Sequence, residues 1–250
     1  MTENNYHKLI FDGISYHFIN DYIKTDVFSN QDTNMAFKFA YDMSFGHKGE
    51  HREYRSGGVH LRTAGEIFAN TFQGKLAEIA FLKYYKKLFP NNTITKVDFD
   101  CWEKGVWDFS DFITVKENET QENLVAIKSI KHFSHLLLLE TRDWNNEGFY
   151  IPNKCKYNSI VLIKIFNNFE NNMKKNKILY SDELSFDKLQ AIVFEQEEWN
   201  YQVVGFLSIN NLIKIIRDKQ IIPQGSFLGV KMTKMDAENY YVQDIDLESF

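Results

Sequence analysis

The residue types with the greatest chemical capacity fall together in DFITVKENETQENLVAIKSIK, residues 111–131. Asp111 opens one strand-like segment and Lys128 lies inside the next; the polar turn ENETQ between them predicts a hairpin. Pairing through that turn brings the Asp111 carboxylate and the Lys128 ammonium to one end of a sheet. Ala126, two residues before Lys128, shares its face by strand alternation. Upstream, Glu78 lies on the helical segment FQGKLAEIAF. A carboxylate is a ligand for a hard cation. A lysine beside it offsets anionic charge or positions a water.

The elements that must hold these groups are legible in the hydrophobic pattern. Ile67, Phe68, Phe72, Leu76, Ile79, Ala80 and Leu82 recur at three- and four-residue steps, which predicts a helix over 66–89. Pro90 and an Asn-Asn turn close it. Strands are expected at 94–99, 111–116, 123–130, 159–166 (SIVLIKIF), 191–194 and 201–207, with a short helix over 209–217. Residues 1–45 carry no pattern that assigns structure, and 221–250 read as irregular to extended. Helix, hairpin, then further strands and a helix describe an α/β (α+β) domain: a central mixed β-sheet flanked by helices, over 1–250 as one unit.

The bulk composition narrows the function classes. A hydrophobic content of 44% with 25% charged residues is that of a globular chain with a sizeable core. The formal net charge of −5 argues against a protein that coats DNA passively, and leaves room for a local basic cleft. The two cysteines, Cys101 and Cys155, make no disulfide framework and suit a reducing cytoplasm. The start, MTENNYHKLIFDG, has no signal-peptide pattern, and the aliphatic run Leu136 to Leu139 is too short to span a bilayer. A soluble cytoplasmic protein with no membrane partner is the expectation. Neither a phosphate-binding GxxxxGK[ST] loop nor a GxSxG nucleophile turn occurs.

The order helix glutamate, strand-opening aspartate, hairpin, strand lysine resembles the PD-(D/E)xK nucleases, particularly type II restriction endonucleases. The resemblance covers residues 74–165 and includes the hydrophobic continuation AIKSIKHFSHLLLLETRDW after the lysine. It implies a restriction-endonuclease-like core over 66–207, Mg²⁺ as cofactor, double-stranded DNA as substrate and a homodimer on a twofold site. Asp111 matches the first acidic residue, Lys128 the lysine, and Glu78 the helix glutamate. Ser110 stands where the family often has proline. Ala126 stands where the second carboxylate belongs, and a methyl group binds no cation. The metal would then rest on Asp111 and the Ile127 carbonyl, with hydrolysis impaired and DNA binding retained. Two origins of Ala126 stand open: a deliberate substitution of Asp or Glu, and a naturally degenerate site. Asp108 competes with Asp111 as first metal ligand, or supports the site from behind.

Residues 46–65, a glycine-broken basic loop, are the expected DNA-contacting segment, with Lys48, Arg52, Arg55 and Arg62 reaching phosphates or guanine edges. Lys131 and His132 follow the lysine strand and line the same cleft. Each feature has a plainer reading: Asp111 as a turn residue, Lys128 as a strand-edge gatekeeper, Glu78 as a solvated helix residue, 46–65 as an exposed loop. Their order and spacing together carry the functional one. Three functions follow: a type II restriction endonuclease, a DNA-binding module of the same fold without catalysis (or a structure-specific repair nuclease), and a protein unrelated to nucleic acid. The last predicts no salt-dependent DNA binding.

Overall fold

The computed structural model describes residues 25–46, 48, 62–100, 110–195, 198–228 and 233–250, and the backbone of 6–11 and 14–19. In chain order the strands are β1 (Tyr6–Phe11), β2 (Ile14–Ile19), β3 (Asp26–Val27), β4 (Thr93–Ile94), β5 (Phe112–Val115), β6 (Glu122–Lys131), β7 (Leu136–Glu140), β8 (Ser159–Phe166), β9 (Asn200–Ser208), β10 (Ile221–Ile222), β11 (Phe227–Leu228), β12 (Thr233–Lys234) and β13 (Asn239–Gln243). The helices are α1 (Asn30–Met43), α2 (Ala64–Leu88), α3 (Phe169–Lys175), α4 (Phe186–Val193) and α5 (Ile209–Arg217).

The centre is a six-stranded mixed sheet ordered β3-β9-β8-β6-β5-β4. Strands β6 and β8 are parallel, and every other pairing is antiparallel. The expected class, a mixed sheet flanked by helices, is what the chain forms. Strand β6 shows why two layers are needed. Val125 and Ile127 turn toward the cluster that α2 builds, while Leu124, Ala126 and Ile130 turn to the opposite cluster. A ten-residue strand with apolar residues on both faces is stable only when both faces are covered.

Helix α2 covers the first face. Thr63 caps it reciprocally with Glu66, an arrangement that satisfies two of the free N–H groups of the first turn. Phe68, Phe72 and Leu76 are fully buried, and α1 packs behind them through Phe37. Phe72 also meets Phe169 and Trp199 edge-on, so the abundant aromatics are spent on one core. Gly65 is there because the chain comes so close: a Cβ on it would lie 2.4 Å from the carbonyl oxygens of Ile178 and Leu179.

On the second face lie α5 and a three-stranded sheet, β10-β13-β7, which together bury Leu137, Leu139, Leu212, Ile216 and Val242 against Ile160, Leu162 and Leu207. The run Leu136–Leu139 is therefore a strand of this second layer, paired with β13 from the far end of the sequence. Trp144 is also buried here.

Most expected elements are present with small boundary shifts. Two differ. Of the expected strand 94–99 only Ile94 lies in a strand, the two-residue β4, and beyond it Thr95 still donates its N–H to the Ile113 carbonyl before the pairing ends. Ala191 to Phe194, expected as a strand, is the end of helix α4, where Leu189 and Val193, four residues apart, both turn into the core. An apolar run of four residues suits either element, and the upstream Ser185 and Phe186 that start the helix decide it. The unassigned first 45 residues supply α1, with Ser29 and Asp32 forming its capping box.

Candidate active site

Strand β5 ends its pairing with β6 at Phe112 opposite Val125, while β6 runs on to Lys131. From Ile127 onward the outer edge of β6 therefore has no partner from β5. Asp111 sits at that step. Its Oδ2 accepts the backbone N–H of Ile127 at 2.5 Å, so a side chain takes over where the ladder stops. Asp111 is solvent-exposed, although protein crowds around its carboxylate. That crowding raises its proton affinity, and the Ile127 N–H, Lys128 and Lys75 work in the opposite direction.

Lys128 is exposed on the face that also carries Ala126, and its charge acts on Asp111. Glu78 approaches from α2. Its Oε2 lies 2.7 Å from Lys75 Nζ. Burial pushes the Glu78 carboxyl up to about 8, with Lys75 opposing and the charges of Asp111 and Asp98 adding to the rise. Asp111 is thus the common member: Lys128 acts on it from the Ala126 face of β6, and its own charge acts on Glu78, which comes from α2 on the opposite face.

Ala126 is different in kind. It is 4% exposed and packs in the apolar cluster with Tyr157, Ile160 and Leu162. The residues that reach toward Asp111 from this side are Tyr157 and Cys155. Burial raises both, and the Asp111 charge adds to the effect in each. Sequence reading missed them, since neither belongs to the hairpin. It also missed Lys75, whose signal was its position one helical turn before Glu78.

The basic residues expected on DNA are dispersed. Lys48 pairs with Asp42 at 3.0 Å, beyond the end of α1. Arg62 precedes the cap of α2, and residues 63–65 of the expected loop are the cap and first turn of that helix. Lys131 pairs with Glu170 at 2.6 Å. His132 stacks on Phe166 with ring centroids 6.0 Å apart, and burial followed by the nearby Lys164 charge lowers its pKa. Of these, only Lys131 and His132 continue the strand that carries Lys128. Arg52, Arg55 and Asp108, the alternative first ligand, lie outside the described residues.

Among the described residues no three His, Cys, Asp or Glu side chains come together as a metal site. A cation here would rest on the carboxylates of Asp111 and Glu78 and the Ile127 carbonyl, completed by water. Two carboxylates with raised proton affinity, one adding to the rise in the other, form a donor pair that a divalent cation neutralises. Such a set fits Mg²⁺, which keeps several waters and takes one or two carboxylates. No helix among the described residues is long and apolar enough to cross a membrane. Compared with protein-family models, curated proteins and solved structures, the chain has no match.

Proposed function

We propose that this chain is built as a Mg²⁺-dependent endonuclease of double-stranded DNA, with a restriction-endonuclease-like core and hydrolysis impaired by the methyl group at position 126. The observation that carries the reading is the step at the end of β5. There, beyond the last β5–β6 pair, the Asp111 carboxylate accepts the Ile127 N–H, feels the charges of Lys128 and Lys75, and itself acts on Glu78. A bound Mg²⁺ supplies an activated water and neutralises charge on the phosphate. Asp111, Glu78 and the Ile127 carbonyl would hold it. Lys128, solvent-exposed and acting on Asp111, would orient the attacking water and offset the charge that builds on the phosphate. A twofold DNA site would call for a homodimer.

One observation favours a second reading, a DNA-binding module of the same fold without catalysis. Ala126 is packed among apolar side chains, an environment that disfavours a carboxylate. The test compares the chain with Ala126→Asp on mixed-sequence DNA in Mg²⁺, reading fragments on a gel. Discrete fragments from the Asp variant, with little or none from the parent, are expected. Salt-sensitive DNA binding with no cutting by either would favour the binding module, and no DNA binding by either would end both readings.

A further inference from the structure

Two lysines act on Asp111, and of the two the hairpin motif contains only Lys128. The other, Lys75, sits three residues before Glu78 on α2, with its Nζ 2.7 Å from Glu78 Oε2. Both side chains are only 14% exposed. The ammonium also faces the rings of Phe39, at 5.0 Å, and Phe99, at 5.9 Å. Its charge acts on Asp111 as well as on Glu78. A solvated i,i+3 pair contributes little and is screened by salt. This one is mostly covered, is favoured by two aromatic faces and stands by both carboxylates, so its charge is felt at close to full strength.

We propose that Lys75 is a tethered counter-ion that stands in for the divalent cation at Glu78 and Asp111 and has to be displaced when one binds. The inference rests on the nuclease reading above and adds a regulatory property to it. Where Glu78 is ionised, a dication that approaches it meets the ammonium already paired there, so the free protein holds metal weakly. DNA changes the balance. Its phosphates bring negative charge to the cleft, give the displaced ammonium a new partner and strengthen cation binding at the same time. Metal loading is thereby coupled to substrate binding. Lys75 acts through Glu78 and is a positioning residue.

The experiment is Mn²⁺ binding to the full chain without DNA, followed by loss of the free-ion electron paramagnetic resonance signal at about pH 8.5, where a proton competes least for carboxylates. The parent is compared with Lys75→Met, Lys75→Gln and Lys75→Arg, each checked for folding by its thermal transition. Removal of the charge in Met and Gln is expected to tighten Mn²⁺ binding about tenfold, within the usual range for coupling between two ligands. Arg is expected to bind like the parent. Equal or weaker binding by the neutral variants, with the parent still binding Mn²⁺, overturns the role of Lys75 and leaves the nuclease reading standing. No Mn²⁺ binding by any of the four chains also overturns the role of Lys75, while cutting of DNA by the Ala126→Asp variant remains the separate test of the nuclease reading.

Discussion

Replacing Asp244 with Asn should be among the most damaging single changes of one heavy atom in this protein. Lys164 lies in the middle of SIVLIKIF on β8 and is 1% exposed. Its Nζ is 2.6 Å from Asp244 Oδ2, and His135 Nδ1 lies 2.8 Å from the same oxygen. At 2.6 Å the Coulomb attraction is about 6 kcal/mol at an effective dielectric near 20, part of it cancelled by the desolvation of both ions. Asp244→Asn removes the anion and strands the ammonium inside the sheet. That loss should cost about 3–5 kcal/mol, the range for breaking one side of a buried pair. Lys164→Met should cost less, because His135 still faces the carboxylate. The double variant should recover much of the loss, since no buried charge is then left without its partner. Urea unfolding of the four chains forms a double-mutant cycle. The acid limb gives an independent check. Burial raises the Asp244 carboxyl, but hydrogen bonds from His135 and Lys164 outweigh it and hold the group below its ordinary value. The folded state therefore binds this proton less readily than the unfolded state. Its stabilisation is complete above the ordinary carboxylate range and is lost as pH falls through the lowered value. Asp244→Asn should lack this loss. The reasoning is refuted if Asp244→Asn costs less than about 1 kcal/mol, or if the double variant costs the sum of the singles.

Two further outcomes follow from features of α2. Glu78 binds its proton more tightly folded than unfolded, with the carboxyl moved from 4.5 up to about 8, so its share of stability is full at low pH and falls as pH rises toward that value. Relative to Glu78→Gln, the parent should lose about 3 kcal/mol between about pH 5 and pH 7; a constant difference in urea stability across that window would contradict the burial of Glu78. Gly65→Ala should destabilise the chain by about 2 kcal/mol, read as a lowered Tm, because the added methyl meets two backbone carbonyls rather than a movable side chain; an unchanged Tm would show that the contact between α2 and residues 178–179 yields easily.

The hairpin and α2 were legible because their physics is local. The polar turn ENETQ fixes which residues face one another, and the periodicity from Ile67 to Leu82 fixes the helix. Asp111 and Lys128 inherit their proximity from that register. Glu78 comes within reach of Asp111 because α2 packs on the face of β6 that carries Ile127 and Ser129, as the bond from Gln73 to Ser129 shows. What stayed hidden depends on contacts between distant segments. Tyr157 and Cys155 come near Asp111 from the connection into β8, and Lys164 finds Asp244 eighty positions away. No local pattern marks such pairs. A lysine in the middle of an aliphatic strand was the visible irregularity, and its explanation lay in the last residues of the chain. Ala191 to Phe194 failed for the opposite reason: four apolar residues are too few to carry a period.

The pairing of β7 with β13 has a consequence for how the protein is made. Leu136–Glu140 finds its strand partner in Asn239–Gln243, so the second layer waits for a segment synthesised about a hundred residues later. During translation, Leu137, Leu139 and the face of β8 bearing Ile160 and Leu162 lack their final cover. The side of the sheet that carries Lys128 is thus assembled last, by the closing of a long loop whose entropic cost is met only when β13 docks. Ribosome-bound chains that end before residue 239 should keep this apolar face open to chaperones, while the aromatic core around α2 is less dependent on that final step.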